Sequence, residues 1–159
     1  MALRNFLLNL TGTFFYIGYL PFIPGTFGSL AGLILYFYIK NNIFLYIGVI
    51  LALLIIGFLF CGAAAKLFQK KDPRQIVIDE AAGMLLSFAF LPFDLRLIIA
   101  GFFVFRLLDT LKPYPASRFD KLDGSIGIMG DDIIAGIYTN IVLQVLLRLL
   151  SIIGHRPGL

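Results

Sequence analysis

The chain has 159 residues, 60% of them hydrophobic, with a mean hydropathy of +0.95 and 14% charged residues, against about 25% charged in an ordinary soluble domain. That excludes a soluble globular domain and reads as an integral membrane protein, one domain over residues 1–159 with room for roughly five spans of about 20 residues. Thirteen basic against nine acidic residues give +4, but the basic residues lie in particular loops and form no stripe for nucleic acid, so they report topology.

Arg4 followed by an apolar run superficially resembles a secretory signal, but no small-x-small cleavage site follows and the run flows into Pro21, Pro24 and Gly25. The mature chain is therefore expected to start near Met1. Between Asn5 and Tyr19 the residues Asn5, Asn9, Thr13 and Tyr16 recur at near-helical spacing along one stripe, which favours an interfacial amphipathic helix over a full span. Thr26 to Ile39 is a short span, Lys40-Asn41-Asn42 a polar turn, and Ile43 to Ala65 a second span that completes a helical hairpin. Cys61, alone in that run, has no partner for an internal disulfide and reads as a small packing residue. A basic loop follows, in which Lys66, Lys70, Lys71 and Arg74 face one acid, Asp72.

A third helix is expected from Val77 to Leu91, broken by Pro92 and Asp94, and a fourth from Leu95 to Leu111, stopped by Pro113 and Pro115. A polar loop with Lys112, Arg118 and Lys121 then leads to a fifth helix from Asp132 to about Ile153. The expected fold is an all-α integral membrane protein, a compact bundle of about five transmembrane helices plus an N-terminal amphipathic helix. Seven of the 13 basic residues lie in the Lys66–Arg74 and Lys112–Lys121 loops, and the positive-inside rule puts both in the cytoplasm. Alternating the helices then brings the Gly25-Thr26 end, Asp79-Glu80, Asp109 and Asp131-Asp132 to that face. The Lys40 and Asp94 turns and the tail from His155 to Leu159 fall on the other, and Arg148 snorkels.

Five of the nine acids, Asp79, Glu80, Asp109, Asp131 and Asp132, thus sit at edges of long apolar stretches. An Asp at the centre of a membrane helix costs about 2.5–3.5 kcal/mol on insertion scales, so such a gathering wants compensation. One acid of each doublet has a use as a helix cap or dipole partner. The surplus of carboxylate oxygens suits an octahedral hard cation such as Mg2+. Small residues at Gly28, Gly32, Ala81 to Gly83, Ala135 and Gly136 let backbones approach and bring those carboxylates within reach of one ion, although plain helix packing explains them equally.

Arg106, Asp109 and Lys112 are spaced i, i+3, i+6 along one expected helical stripe. An intrahelical salt bridge accounts for part of it, but Arg106 lies inside the apolar run, where a guanidinium needs a carboxylate or phosphate. The Gly25–Ser29 segment opens a helix, where backbone N–H groups and the Thr26 hydroxyl suit an anion; a plain turn with a Thr cap fits as well. The sole histidine, His155, is in the tail, and the position six after Cys61 is Leu67 rather than Arg. Histidine- and cysteine-dependent hydrolases are thereby set aside. Carboxylates, a metal, and Arg and Lys to hold an anion are the parts for phosphoryl transfer.

Four motifs, PGTFGS from Pro24, DEAAG from Asp79, FRLLDTLKPYP from Phe105 and GIMGDDIIAG from Gly127, resemble those of the phosphatidylglycerophosphatase A family, in the family's order and over most of the chain. Ser125 stands where the family more often has Gly. The resemblance implies Mg2+-dependent hydrolysis of phosphatidylglycerophosphate to phosphatidylglycerol and inorganic phosphate at the inner face of a bacterial cytoplasmic membrane. It marks Asp79, Glu80, Asp109, Asp131 and Asp132 as metal-binding or catalytic, and Gly25, Thr26, Arg106 and Lys112 as the phosphate side. The rival from another class is a small carrier or channel whose intramembrane acids bind an ion. A CDP-alcohol transferase lacks its DGxxAR signature here, since Asp123-Gly124 is followed by Ser-Ile-Gly-Ile.

Overall fold

A computed structural model describes residues 2–154, so the expectation for the His155–Leu159 tail falls outside the described residues. Among them the chain is all-helical: α1 (Ala2–Gly12), α2 (Pro24–Ile39), α3 (Ile43–Leu67), α4 (Ile78–Ser87), α5 (Leu95–Leu111), α6 (Ala116–Phe119) and α7 (Ser125–Gly154), with a 3-10 turn at Ile17–Tyr19. Two helices, α3 and α7, are long and apolar enough to cross a membrane. At 1.5 Å per residue, α2 and α5, with 16 and 17 residues, reach about 24–26 Å.

The outer surface is the stronger indication of the solvent. Leu51, Ile55 and Leu59 on α3, Ile99, Phe103 and Leu107 on α5, and Ile137, Ile141 and Val145 on α7 all face outward. Each set repeats every four residues, so each helix carries an apolar stripe away from the core. Water penalises apolar patches of that extent and lipid does not. The chain is a membrane protein.

Three expected helices differ from those observed. The N-terminal helix stops at Gly12, so Thr13 and Tyr16 leave its stripe: Phe14, Phe15 and Tyr16 take left-handed backbone conformations with φ 46°, 57° and 66°. The Val77–Leu91 helix is only Ile78–Ser87, ten residues or about 15 Å, and nearly all of it is buried between α2, α3, α5 and α7. A helix that stops inside an apolar bundle must have its last carbonyls satisfied. Here the Tyr46 hydroxyl of α3 donates to the Leu85 carbonyl, while Asn140 Nδ2 of α7 donates to Ser87 and Ala89 carbonyls at 3.1 and 2.8 Å. Sequence periodicity had no access to those partners.

The last helix begins at Ser125, seven residues before the expected start. Gly127 and Gly130 resembled loop residues, but they are packing residues: a Cβ on Gly130 would stand 3.0 Å from that of Phe119 on α6. Ser125 accepts a hydrogen bond from the Gly62 N–H at 2.7 Å, so its hydroxyl ties α7 to α3.

The small residues set how closely α4 is gripped. A Cβ on Gly32 would lie 2.6 Å from the Ala81 carbonyl oxygen, and one on Gly136 2.5 Å from that of Gly83. Backbone contact on both sides brings the first turn of α4 against α2 and α7, which positions the site.

Candidate active site

The two acid doublets cap nothing. Val77, which has no side-chain acceptor, occupies the N-cap of α4, and Asp79 and Glu80 lie inside its first turn; Asp131 and Asp132 lie nearly two turns into α7. The cap alternative is overturned for both pairs, because both helices begin earlier than the acids do; Asp79 and Glu80, in the first turn of α4, keep the alternative of dipole partners. The stripe of Arg106, Asp109 and Lys112 is also corrected. α5 ends at Leu111, and Lys112 takes a left-handed conformation with φ 44°, its N–H closing on the Leu108 carbonyl. That turn swings its ammonium off the helix toward Asp120 and Asp131, the latter at 2.6 Å.

All five expected acids converge. With Gly25, Arg106 and Lys112 they line one cavity of about 240 Å³ at the end of the bundle where α2, α4 and α7 begin and α5 stops. Thr26, expected on the phosphate side, is half-buried in α2 and does not line it. A side chain on Gly25 would meet the Glu80 carboxylate and stand 3.3 Å from Arg106 Nη1, so glycine leaves this wall open.

Within the cavity the acids divide into two kinds. Asp109 accepts from Arg106 Nη1 at 2.5 Å, and Asp131 is held by Lys112. Burial works against the Lys112 charge, but its hydrogen bonds to Asp120 and Asp131 outweigh that and hold its pKa above the ordinary lysine value. The remaining three have no such partner. Asp79 Oδ1, Glu80 Oε2 and Asp132 Oδ1 are buried and accept no hydrogen bond among the described residues. One ligand oxygen from each of these acids lies within 4.8 Å of the others.

Crowded carboxylates at 4–6% exposure, as Asp79 and Asp132 are, repel one another in a poorly screened site. Six carboxylates line the cavity against three basic side chains, so internal ion pairing leaves the excess uncompensated. Hard oxygen donors at this separation are of the type that Mg2+ takes, and the orphaned oxygens fit such an ion.

The family described as Phosphatidylglycerophosphatase A matches residues 10–147. The chain is a phosphatase of the phosphatidylglycerophosphatase A family. It is 40% identical to the Phosphatidylglycerophosphatase A of Escherichia coli K12 over 124 residues, covering 76% of this chain and 72% of that one. The Haemophilus influenzae Phosphatidylglycerophosphatase A is 38% identical, with 76% of each chain covered. A Bacteroides thetaiotaomicron protein, named as a candidate phosphatidylinositol-3-phosphatase, is 36% identical over 91% of this chain and 96% of its own. No solved structure matches.

The cavity of this phosphatidylglycerophosphatase A family member also contains residues that sequence reasoning left in the basic loop, Asp72 and Arg74. Asp72 as the one acid among four bases was the available signal. Asp120, which helps to hold Lys112, carried none, because α6 alone brings it near.

Proposed function

We propose that this protein is a Mg2+-dependent phosphatidylglycerophosphate phosphatase, a single domain over residues 1–159, with its active site at the cytoplasmic face of a bacterial inner membrane. The observation that carries the reading is the pairing, in one cavity, of three carboxylates that each keep a buried oxygen without a hydrogen-bond partner and two cations aimed by other carboxylates. The names of the enterobacterial and Haemophilus relatives supply the substrate. On this reading the chain crosses five times, with α4 and the Phe88–Asp94 segment together making the third crossing; the two long apolar helices α3 and α7 support it. The basic Lys66–Arg74 and Lys112–Lys121 loops then flank the cavity in the cytoplasm.

Asp79, Glu80 and Asp132 would hold the divalent ion, with Asp109 and Asp131 beside them; when bound it supplies Lewis-acid polarisation of a phosphoryl oxygen and offsets charge. Arg106 and Lys112 present N–H donors to the other phosphomonoester oxygens and take up charge as the bond to the lipid alcohol breaks. Asp109 and Asp131 aim those two donors. Gly25 leaves the terminal phosphate room against α2. The attacking group is an in-line water or an aspartate, and the products are phosphatidylglycerol and inorganic phosphate.

The relative with the longest match favours an inositide as the second reading. Purified protein in mixed micelles, given phosphatidylglycerophosphate or phosphatidylinositol 3-phosphate with Mg2+, with chelator, and with Mg2+ restored, decides between them. Chelator-sensitive phosphate release from the first lipid is expected. Release from the inositide alone would move the function, and indifference to chelator would remove the metal.

A further inference from the structure

The catalytic cavity does not end at its acids. Phe22, Pro24 and Arg74 are shared with a second recess of about 220 Å³, walled by the Gly18–Leu20 turn and floored by Gln75. This recess holds two polar groups that the reaction does not use. Arg74 is exposed and makes no ion pair among the described residues, whereas Arg106 and Lys112 are both paired. Gln75 Oε1 is buried without a hydrogen-bond partner.

A buried amide oxygen without a donor is destabilising, so a hydroxyl brought by a ligand recovers something the fold leaves open. The floor is fixed in place. The Val77 N–H donates to the Gly12 carbonyl at 3.0 Å, and Gly18 lies so close to Gln75 that a Cβ there would overlap the Gln75 carbonyl. The rim is apolar: Leu20 and Phe22 line it and are exposed, Phe22 at 92%, with Ile23 exposed beside them.

We propose that Arg74 and Gln75 form a second subsite for a phosphodiester and its neighbouring hydroxyl, making the enzyme selective for a glycerolipid that carries an internal diester as well as a terminal phosphate. The inference rests on the phosphatase reading above. Acyl chains lie along Leu20 to Ile23, Arg74 takes the diester charge, and Gln75 accepts from the glycerol hydroxyl. The terminal phosphate then reaches Arg106 and Lys112. A lipid with one phosphate fills only the inner cavity.

Competition measures this directly. With phosphatidylglycerophosphate as substrate, phosphatidylglycerol probes the diester subsite alone and phosphatidic acid probes the monoester cavity alone. Arg74→Gln is expected to raise KM and the Ki of phosphatidylglycerol about tenfold, the loss of one charge-assisted hydrogen bond, and to raise the Ki of phosphatidic acid by clearly less, because Arg74 only borders the monoester cavity. Arg74→Lys recovers part of the loss, and Gln75→Leu weakens phosphatidylglycerol about threefold, as for a neutral hydrogen bond. Equal weakening of both competitors, or of neither, by Arg74→Gln overturns the subsite. Failure of the wild-type protein to release phosphate from phosphatidylglycerophosphate overturns the parent reading instead, before any substitution is made.

Discussion

Both ends of α4 are largely buried, and they are treated in opposite ways. At its C-terminal end the buried carbonyls of Leu85, Ser87 and Ala89 are met by Tyr46 and Asn140. At its N-terminal end Asp79 and Glu80, with Asp132 across from them, keep buried oxygens that meet nothing. A fold able to satisfy backbone groups from two neighbouring helices leaves a charged cluster open only a few turns away. On the proposed function the open end is where a bound divalent ion would contribute to stability, and the closed end is where the protein supplies its own partners.

The largest test of that contrast is Asp132→Asn, expected to lower phosphate release more than about a hundredfold, the scale of removing a group that stabilises the transition state. In metal-free detergent its unfolding temperature should match or exceed that of wild type, since one uncompensated buried charge is gone. Activity and unfolding temperature falling together would make Asp132 a structural residue and erase the contrast. Mg2+ should raise the unfolding temperature of wild type and not that of the variant.

A smaller effect separates the paired acids from the open ones. Lys112→Met removes the proposed phosphate donor and frees Asp131, and kcat/KM should drop about tenfold, the worth of one charge-assisted hydrogen bond. Kinetics on the purified variant check this. A loss as deep as that of Asp132→Asn would mean that the aimed cation and the open carboxylates form a single unit.

The smallest expected effect is at the closed end. Asn140→Leu orphans two carbonyls and should cost about 1–2 kcal/mol, the lower part of the range because hydrogen bonds within membranes are worth less than burial alone implies. Denaturant unfolding reads it, while turnover well below the unfolding temperature stays near wild type. Loss of turnover without loss of stability would place the control of the site at the wrong end of α4.

Much of the molecule was legible beforehand. Leu95–Leu111 is observed as expected, because Asp94 caps it through the Arg96 and Leu97 amides and Pro113 follows its end. The hairpin of α2 and α3 is bounded by Pro24 and by Asn42, which accepts from the Leu45 N–H. The convergence of the five acids followed from alternation and basic loops. What was misplaced depended on neighbours: α4 stops early because Tyr46 and Asn140 reach its carbonyls, and α7 starts early because its glycines are there to receive α6.

Hydropathy settled the solvent and the helical class, and the order of apolar runs and basic loops settled which end of the bundle gathers charge, because both are properties of the chain that need no tertiary contact. Which carboxylates are held by cations and which stay open was decided only in three dimensions. Lys112 turns away from Asp109 to Asp131, and Gly32 and Gly136 bring the first turn of α4 beside Asp132. Pairing between charges is set by distances of a few ångströms between helices far apart in sequence, and periodicity along one helix has no information about them.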